Sequence, residues 1–111
     1  MSLQITRSDW FIGDLEHHAA WYDQKAGWDV AEQYLRAVDA TVRQLADMPD
    51  LGPRARFKSQ SLLDLRFYPV QRPFEKYILF YRHDGQTLFV ERIIHGARDL
   101  PRRLTEPPAS S

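Results

Sequence analysis

A stretch in the second half of the chain constrains its fold most strongly, because two strand-like segments flank a turn signal. Residues 76–82 and 87–94 are rich in aromatic and branched side chains, which are typical of strands. Between them, Asp84-Gly85 favours a two-residue type I′ turn. That turn would pair His83 with Gln86, and the two segments are therefore predicted to form a β-hairpin.

This register assigns the hairpin side chains to two faces, since successive residues of a strand point to opposite sides. One face is nearly all apolar and is expected to meet the core: Tyr77, Leu79, Tyr81, Leu88, Val90, Arg92 and Ile94. The other face is mixed and is expected to be partly wet: Lys76, Ile78, Phe80, Arg82, Thr87, Phe89, Glu91, Ile93 and His95.

Arg92 is the exception on the apolar face. A buried guanidinium without a partner is costly, so Arg92 is expected to form an ion pair with Asp99 or Asp64, or to reach the edge of the sheet. Of its possible roles, a structural salt bridge is favoured over a functional one.

The first half of the chain predicts a short strand followed by two helices. Leu3–Arg7 is the candidate strand, and Ser8 or Asp9 can cap the next helix. Phe11, Leu15, His18, Ala19 and Tyr22 recur at helical spacing, whereas Asp9, Asp14, Glu16 and Asp23 fall mostly on other faces. Gly27 suits a break between two helices that fold back on each other.

The second helix has the clearest pattern. Its apolar residues step by four and three positions and form one narrow stripe. The stripe consists of Ala31, Leu35, Val38, Val42 and Leu45, widened by Tyr34 and Thr41. This helix should stop by Met48, because Pro49 disfavours helical geometry in the residue before it.

The remaining segments complete an α+β domain. Arg54–Ser61 reads as a basic connection, and 63–68 as a strand whose Asp64, Arg66 and Tyr68 face solvent. Ala97–Leu104 is a short helix at best. The order β-α-α-β-β-β-(α) predicts a helical hairpin packed on a small, mainly antiparallel sheet, with one domain over residues 1–104 and a flexible tail over residues 105–111.

The composition narrows the function. No cysteine is present, which excludes disulfides and thiolate chemistry. No set of carboxylates or histidines has metal-ligand spacing, so neither a metal nor a cofactor is expected.

The charge is unevenly distributed along the chain. The net charge is zero, but residues 1–47 hold four Lys/Arg against eight Asp/Glu, and residues 48–111 hold eleven against seven. The basic half is either a surface for an acidic partner or a solvated strand face. No signal peptide or membrane-spanning run is apparent, and a cytoplasmic location is expected.

Three stretches taken in order resemble the RelE/ParE superfamily of toxins, and in particular its ParE (plasmid stabilisation) branch. They are LADMPDLGPRAR, KYILFYRHDG and RIIHGARDL, which run from Leu45 to Leu100. The resemblance implies a small bacterial toxin of a type II toxin–antitoxin module. It also implies a ParD-like antitoxin as partner and DNA gyrase as target, with nucleic acid contacted only through the antitoxin complex.

The alternative within the same superfamily is a RelE-like nuclease that cuts messenger RNA on the ribosome. Such an enzyme needs a base, an acid and cations around the scissile phosphate. RelE-like members carry lysines on their middle strands, whereas the corresponding strand here has Asp64 and Arg66 at its outward positions. This difference favours a non-catalytic, gyrase-binding toxin. If the chain is a nuclease, the candidate base is His95, and the candidate phosphate clamp consists of Arg92 and Arg98. Otherwise His95 is expected to hydrogen-bond to the backbone and anchor the last helix.

The other histidines are weaker candidates. His17 and His18 lie on a helix, where they either face solvent or pack a ring against their neighbours. His83 flanks the turn and is expected to be exposed. The residues predicted to bind the antitoxin or the target are the basic ones of the second half: Arg54, Arg56, Lys58, Arg66, Arg82, Arg92 and Arg98. Antitoxin segments are expected along the helical hairpin and the sheet edge.

Overall fold

The structure, a computed structural model, describes residues 2–62, 64–96 and 98–108. Within them the chain forms β1 (Gln4–Arg7), α1 (Asp9–Ala26), α2 (Trp28–Asp47), β2 (Arg66–Pro69), β3 (Tyr77–His83), β4 (Thr87–His95) and α3 (Leu100–Leu104), with one 3₁₀ turn at Gln60–Leu62. This is the predicted order of elements, and the predicted α+β class is confirmed.

The four strands form one mixed sheet in the order β1-β4-β3-β2. Strands β2, β3 and β4 are antiparallel neighbours, whereas β1 pairs with β4 in the parallel direction. The long connection through α1 and α2 allows this parallel pairing, because parallel neighbours need a crossover of a dozen residues or more. Among the helices of the described residues, none is both long enough and apolar enough to cross a bilayer.

The helical hairpin follows the sequence pattern closely. Ser8 is the N-cap of α1, and its hydroxyl accepts a hydrogen bond from the amide of Phe11 at 3.0 Å. Gly27 separates the helices at a φ of 95°, a conformation that favours glycine. α2 ends at Asp47 with Met48 as its C-cap, as the following proline requires.

The stripe of α2 packs into the main core. Ala31, Tyr34, Val38, Thr41, Val42 and Leu45 are buried, and Leu35 is half-buried against the same cluster. Opposite them lie the helix-facing side chains of the sheet: Tyr77, Leu79, Tyr81, Leu88, Val90 and Ile93. The prediction that this stripe builds the core is confirmed.

The hairpin turn differs from the predicted type. His83 pairs with Leu88, not with Gln86, so the connection spans four residues. The carboxylate of Asp84 accepts hydrogen bonds from the amides of Gln86 at 2.9 Å and Thr87 at 2.8 Å. Only Gly85 has a positive φ there, at 89°, whereas a type I′ turn needs one at both central residues. The aspartate side chain therefore stabilises a wider loop, and its hydrogen bonds lower the pKa of Asp84.

A β-bulge in β4 reverses the predicted faces beyond Val90. Tyr81 pairs with Val90 but Phe80 pairs with Arg92, which leaves Glu91 as an extra residue. Arg92 and Ile94, predicted on the core face, therefore lie on the opposite face. Ile93 and His95, predicted on the wet face, lie on the helix side; Ile93 is fully buried there. The prediction was wrong because strict alternation assumes that no residue is inserted.

The second face of the sheet is covered, where partial wetting was predicted. Phe80 and Ile94 lie on it and are buried together with Leu62, Leu65 and Leu104. These last three belong to the connection between α2 and β2 and to α3. The chain therefore builds two apolar layers, one on each side of the sheet, and the wet-face prediction is wrong for this part of the hairpin.

β2 is shorter than predicted. It begins at Arg66, because Asp64 has a φ of 67°, outside the strand region. Leu63, the predicted first residue, lies outside the described residues. Tyr68 was predicted to face solvent, but it is half-buried and packs against the main core, which corrects that assignment.

The C-terminal region begins its helix at Leu100; Ala97, the predicted start, lies outside the described residues. Residues 105–108 follow α3 back to α1, where a Cβ built on Gly13 would lie 2.8 Å from Pro108 Cγ. The proposed boundary at residue 104 stays a prediction, and residues 109–111 lie outside the described residues.

Gly52→Ala tests how tightly the chain packs after α2. The Gly52 amide donates to the Tyr81 hydroxyl at 2.9 Å, and that hydroxyl donates to the Pro49 carbonyl at 2.7 Å. A Cβ at this position would lie closer to the Phe67 carbonyl oxygen and the Tyr81 hydroxyl oxygen than van der Waals radii allow. We expect the free energy of unfolding, measured by urea denaturation, to fall by about 2 kcal/mol.

The matched control is Gly85→Asn, since a Cβ there meets open space and asparagine tolerates a positive φ. It should unfold at a urea concentration close to that of the wild type. Equal midpoints for Gly52→Ala and the wild type would show that the loop gives way to the added methyl group.

Candidate functional site

The first candidate is a buried salt bridge centred on Arg92. Its Nε and Nη2 donate to the two carboxylate oxygens of Asp14 at 2.8 and 2.9 Å. Both residues are 5% exposed. Asp14 Oδ2 also accepts from the amide of Ile93 at 3.1 Å. The predicted ion pair therefore exists, but its partner is Asp14, and the predicted partners Asp99 and Asp64 are wrong.

The remaining guanidinium nitrogen of Arg92 binds the end of α3. Nη1 donates to the carbonyls of Arg103 and Leu104, both at 3.1 Å, and of Glu106 at 2.6 Å. Helix C-termini leave carbonyls without intrahelical donors and favour a cation. The ring of Trp10 lies 5.1 Å from the guanidinium carbon. Arg92 thus holds three elements together, and its burial removes it from the predicted binding surface.

The sequence pattern placed Asp14 among residues that fall mostly on other faces of α1, and one sequence signal indicates otherwise. Asp14 precedes Leu15 and lies one turn before His18, so it borders the apolar stripe. In the structure, β1 ends at Arg7, so β4 has no strand partner on that side beyond Val90, although its other side stays paired with β3. A carboxylate on the covering helix supplies the missing acceptor for Ile93.

His95 lies on the opposite side of β4 from Arg92. Its ring packs on Tyr77 with centroids 4.7 Å apart, and its side chain is exposed. Partial burial, together with the nearby Arg103, lowers its pKa. The main-chain carbonyl of His95, not its ring, anchors α3 by accepting from Arg103 Nη2 at 2.6 Å.

Arg98, the other proposed nuclease residue, is exposed. Its carbonyl accepts from Arg103 Nη1 at 3.2 Å, which leaves its guanidinium outside this contact. Of the three residues proposed for phosphate chemistry, Arg92 is committed to Asp14 on the other face. The described residues therefore do not bring His95, Arg92 and Arg98 to one point.

His18 lies in an aromatic cluster on the helix side of the sheet. Its Nδ1 is 2.7 Å from the Tyr34 hydroxyl oxygen, and its ring lies 4.9 Å from that of Tyr77. Tyr22 and Phe74 complete the cluster. Burial, reinforced by neighbouring positive charge, lowers the pKa of His18 to about 4. Of the two open interpretations, the packed ring applies to His18, whereas His17 is exposed.

Asp50 contacts Arg66, one of the predicted basic residues, and also His83. Arg66 Nη2 lies 3.2 Å and His83 Nε2 2.8 Å from its Oδ1. Arg66 Nη1 also donates to the Gly52 carbonyl at 2.8 Å. The hydrogen bond with His83 lowers the pKa of Asp50. His83 was predicted to be exposed, but only 18% of its side chain is accessible.

The other predicted basic residues lie along the connection that covers the second face. Arg54, Arg56 and Lys58 are exposed, and Arg54 pairs with Asp64 at 3.7 Å. Arg82 is half-buried and borders two clefts. One, of about 630 Å³, is lined by charged residues that include Arg54 and Arg66. The other, of about 500 Å³, has Trp10 and Leu104 in its walls.

Within residues 2–62, 64–96 and 98–108, no group of His, Asp or Glu is arranged to hold a metal ion. The candidate site is therefore the exposed basic connection and the charged cleft beside it. Such a surface can bind an acidic protein partner through ion pairs, whose effect is strongest on association rate and selectivity.

Known proteins resemble this chain in sequence family and in fold. The family described as the ParE toxin of the type II toxin–antitoxin system, parDE, matches residues 5–100. A solved structure described as a chromosomal ParDE toxin–antitoxin system from P. aeruginosa superposes with a TM-score of 0.70 at 14% identity, covering 86% of this chain and 98% of that one. At that identity the likeness concerns the fold. No curated protein sequence matches the chain.

Proposed function

Because this chain belongs to the ParE toxin family of type II toxin–antitoxin systems, we propose that it acts in the bacterial cytoplasm by binding and inhibiting DNA gyrase. A ParD-like antitoxin would neutralise it. In this role the chain works through surface contacts, and its own side chains make or break no covalent bond.

The observation that carries this proposal is the position of Arg92. A nuclease of the related branch needs a base and cations that converge on one phosphate. Here the guanidinium of Arg92 is saturated by Asp14 and by three carbonyls, and it lies on the side of β4 away from His95. These contacts support a structural Arg92 and favour binding over catalysis.

The target-binding surface is proposed to be the basic connection. Arg54, Arg56 and Lys58 project from the segment that covers the second face, and Arg66 and Arg82 border the cleft beside it. Arg98 is exposed near α3 and can extend this surface. Exposed charges of this kind are held in place by a packed scaffold without contributing to its stability.

Purified protein at excess should block supercoiling of relaxed plasmid by DNA gyrase, and addition of the antitoxin encoded beside it should restore supercoiling. Unchanged supercoiling at excess toxin would contradict the gyrase proposal. Codon-specific cleavage of messenger RNA in a translation extract, abolished by His95→Ala, would instead establish the nuclease alternative.

The double variant Arg56→Glu/Lys58→Glu tests the surface. We expect the concentration for half-maximal inhibition of gyrase to rise by about tenfold or more, because two like-charge contacts replace two attractive ones. Thermal unfolding should stay close to that of the wild type, since both side chains are exposed.

Arg36→Glu is the matched control for charge reversal, because Arg36 lies on α2 with 76% of its side chain accessible. It should inhibit gyrase as the wild type does. Equal potency of the double variant and the wild type would place the gyrase contact elsewhere on the chain.

A further inference from the structure

The cleft beside Trp10, of about 500 Å³, lies on the second face of the sheet where several elements meet. It is lined by residues from the start of α1, from β3 and β4, from the connection between α2 and β2, and from α3. Its size falls within the range of roughly 300–1,000 Å³ that is usual for ligand sites. The cleft can therefore receive a long side chain of another protein.

The lining of this cleft combines buried leucines with an exposed aromatic ring. Leu62, Leu65 and Leu104 are 5% or less exposed, so they form its deepest part, whereas Trp10 is 41% exposed. An aliphatic chain that entered the cleft would cover part of the Trp10 ring and remove apolar surface from water. The lining therefore favours a ligand with an aliphatic stem.

The charged groups of the lining give the cleft an excess of negative charge. Asp9 and Glu91 are its carboxylates, and Arg82 and Arg92 are its cations. Arg92 is matched by Asp14, which leaves two carboxylates against one guanidinium. The positive end of the α1 dipole, equivalent to roughly half an elementary charge, offsets only part of this excess. The cleft therefore favours a cation over an anion.

The charged side chains of α3 do not reverse this balance. Arg102 is held between Asp99 and Glu106, at 2.5 and 2.7 Å. Arg103 donates to two main-chain carbonyls at 3.2 and 2.6 Å. These two cations face two carboxylates, and all four side chains lie outside the lining of the cleft. The cation that the cleft favours must therefore come from another molecule.

The fold already holds one guanidinium with the chemistry that this cleft offers. The guanidinium carbon of Arg92 lies 5.1 Å from the centre of the Trp10 ring, and its Nε donates to the carboxylate of Asp14 at 2.8 Å. A basic side chain in the cleft would meet the exposed part of the same ring and the carboxylates of Asp9 and Glu91. Cations are attracted to the faces of tryptophan rings, and long basic side chains bury their stems along apolar surface.

The cleft is continuous with the surface proposed to bind the target. Leu62 and Leu65 belong to the same connection as Arg56 and Lys58, and Arg82 borders both this cleft and the charged cleft next to it. A partner that binds the connection therefore passes the opening of the cleft. Its acidic side chains would contact Arg56 and Lys58, and a basic side chain would suit the cleft.

We propose that the cleft beside Trp10 receives an arginine or lysine side chain of the target protein, with its stem on Leu62 and Leu104 and its charged end between Asp9 and Glu91. This inference rests on the proposed action on DNA gyrase and specifies one anchor of that contact. A basic side chain enclosed in a cleft of this kind is the type of residue that dominates a protein interface, because the surrounding contacts exclude water from it.

The double variant Asp9→Asn/Glu91→Gln removes both carboxylate charges and keeps the shapes of the side chains. We expect the concentration for half-maximal inhibition of gyrase to rise by about tenfold or more, because the enclosed cation loses its anionic partners. Circular dichroism should show an unchanged fold, since Asp9 is exposed and Glu91 is half-buried. Wild-type potency of the folded variant would overturn the inference.

The matched control is Asp23→Asn/Asp29→Asn, which removes the same number of charges at the other end of the helical hairpin. Both residues are exposed, and Asp29 lies in the first turn of α2 as Asp9 lies in the first turn of α1. This variant should inhibit gyrase as the wild type does. An equal loss of potency in the control would assign the effect to the overall charge of the chain and overturn the inference.

Oxidation by hydroxyl radicals, measured by mass spectrometry, tests the cleft without any variant and decides the matter if the double variant does not fold. Trp10, Trp21 and Trp28 are 41%, 50% and 55% exposed, so all three should be oxidised in the chain alone. In the complex with gyrase, the oxidation rate of Trp10 should fall by about fivefold or more. Trp21 and Trp28 lie near the other end of the helical hairpin and should keep their rates.

The other outcomes of this measurement also have distinct meanings. Unchanged oxidation of Trp10 in a complex that still inhibits gyrase would overturn the inference and leave the proposed function standing. Protection of Trp10 by the antitoxin and not by gyrase, or by a rising concentration of the chain alone, would overturn the target as the occupant. A wild-type chain that neither binds nor inhibits gyrase would overturn both the proposed function and this inference.

Discussion

Asp14→Ala is expected to lower the free energy of unfolding by about 3–5 kcal/mol, because it leaves the buried Arg92 without its anionic partner. The carboxylate of Asp14 accepts two bonds from the guanidinium and one from the amide of Ile93. Removing it leaves the positive charge of Arg92, a residue that is 5% exposed, without an anionic partner. Since Arg92 also holds the last carbonyls of α3, the C-terminal segment should loosen with it.

Urea denaturation followed by tryptophan fluorescence measures this effect, because Trp10 lies against the Arg92 guanidinium. The control is Asp39→Ala, which removes the acceptor of two exposed arginines. Exposed ion pairs contribute little, so the control should lose less than about 1 kcal/mol. Similar losses in the two variants would contradict the buried role of Asp14.

A double replacement separates the charge from the packing. Asp14→Leu combined with Arg92→Met removes both ions and keeps most of the volume, and such replacements are often neutral or stabilising elsewhere. Here the double variant should regain part of the stability that Asp14→Ala loses. Its recovery should be incomplete, because the carbonyls of Arg103, Leu104 and Glu106 lose their donor.

The chain is also expected to lose stability on acidification between about pH 6.5 and about pH 4. Burial lowers the pKa of His18 in the folded protein to about 4, against 6.5 for an ordinary histidine. The unfolded chain therefore takes up a proton first as the pH falls, and protonation pulls the equilibrium towards unfolding. The full effect of His18 is about 3 kcal/mol, present below pH 4 and absent above pH 7.

His95 contributes in the same direction, since its pKa is also lowered in the folded state. Below this window the loss continues, because the pKa values of Asp50 and Asp84 are lowered by their hydrogen bonds and their contribution disappears as they are protonated. Stability measured by urea denaturation should therefore rise from acidic to neutral pH and level off above pH 7.

His18→Gln should flatten most of the slope between pH 6.5 and pH 4, since glutamine can still bond to the Tyr34 hydroxyl but does not titrate. His17→Gln is the comparison variant, because His17 is the adjacent, exposed histidine. It removes only a smaller, coulombic contribution to the lowered pKa of His18 and keeps the burial, so most of the wild-type slope should remain. A slope unchanged in His18→Gln would assign the acid sensitivity to other groups.

The helical hairpin shows which parts of the fold are encoded locally. Ser8 marks the start of α1 through its side-chain hydroxyl, and Gly27 and Pro49 mark helix ends through their backbone preferences. The α2 stripe follows from a period of 3.6 residues. These signals depend on neighbours within one turn, so the sequence predicts them without knowledge of the rest of the chain. The order of elements follows from the same local signals, whereas the ParE resemblance rests on three stretches between Leu45 and Leu100.

The candidate site was predicted only in part for a related reason. Exposed basic residues such as Arg56 and Lys58 can be recognised from composition, because nothing needs to pack against them. Asp14 could not be assigned to Arg92, since the two are 78 positions apart and the contact depends on where β1 ends. Arg92 itself was recognised as needing an acid, but which acid is a question of tertiary distance.

By itself, therefore, the sequence determined the helices, the strands, their order and the presence of a charged residue that had to be paired. The tertiary structure alone decided the bulge at Glu91, the second covered face of the sheet and the bond between Arg92 and Asp14. The physical reason is that an inserted residue changes the face of every side chain after it, and the cost of the insertion is offset by contacts with helices and loops that are remote in sequence.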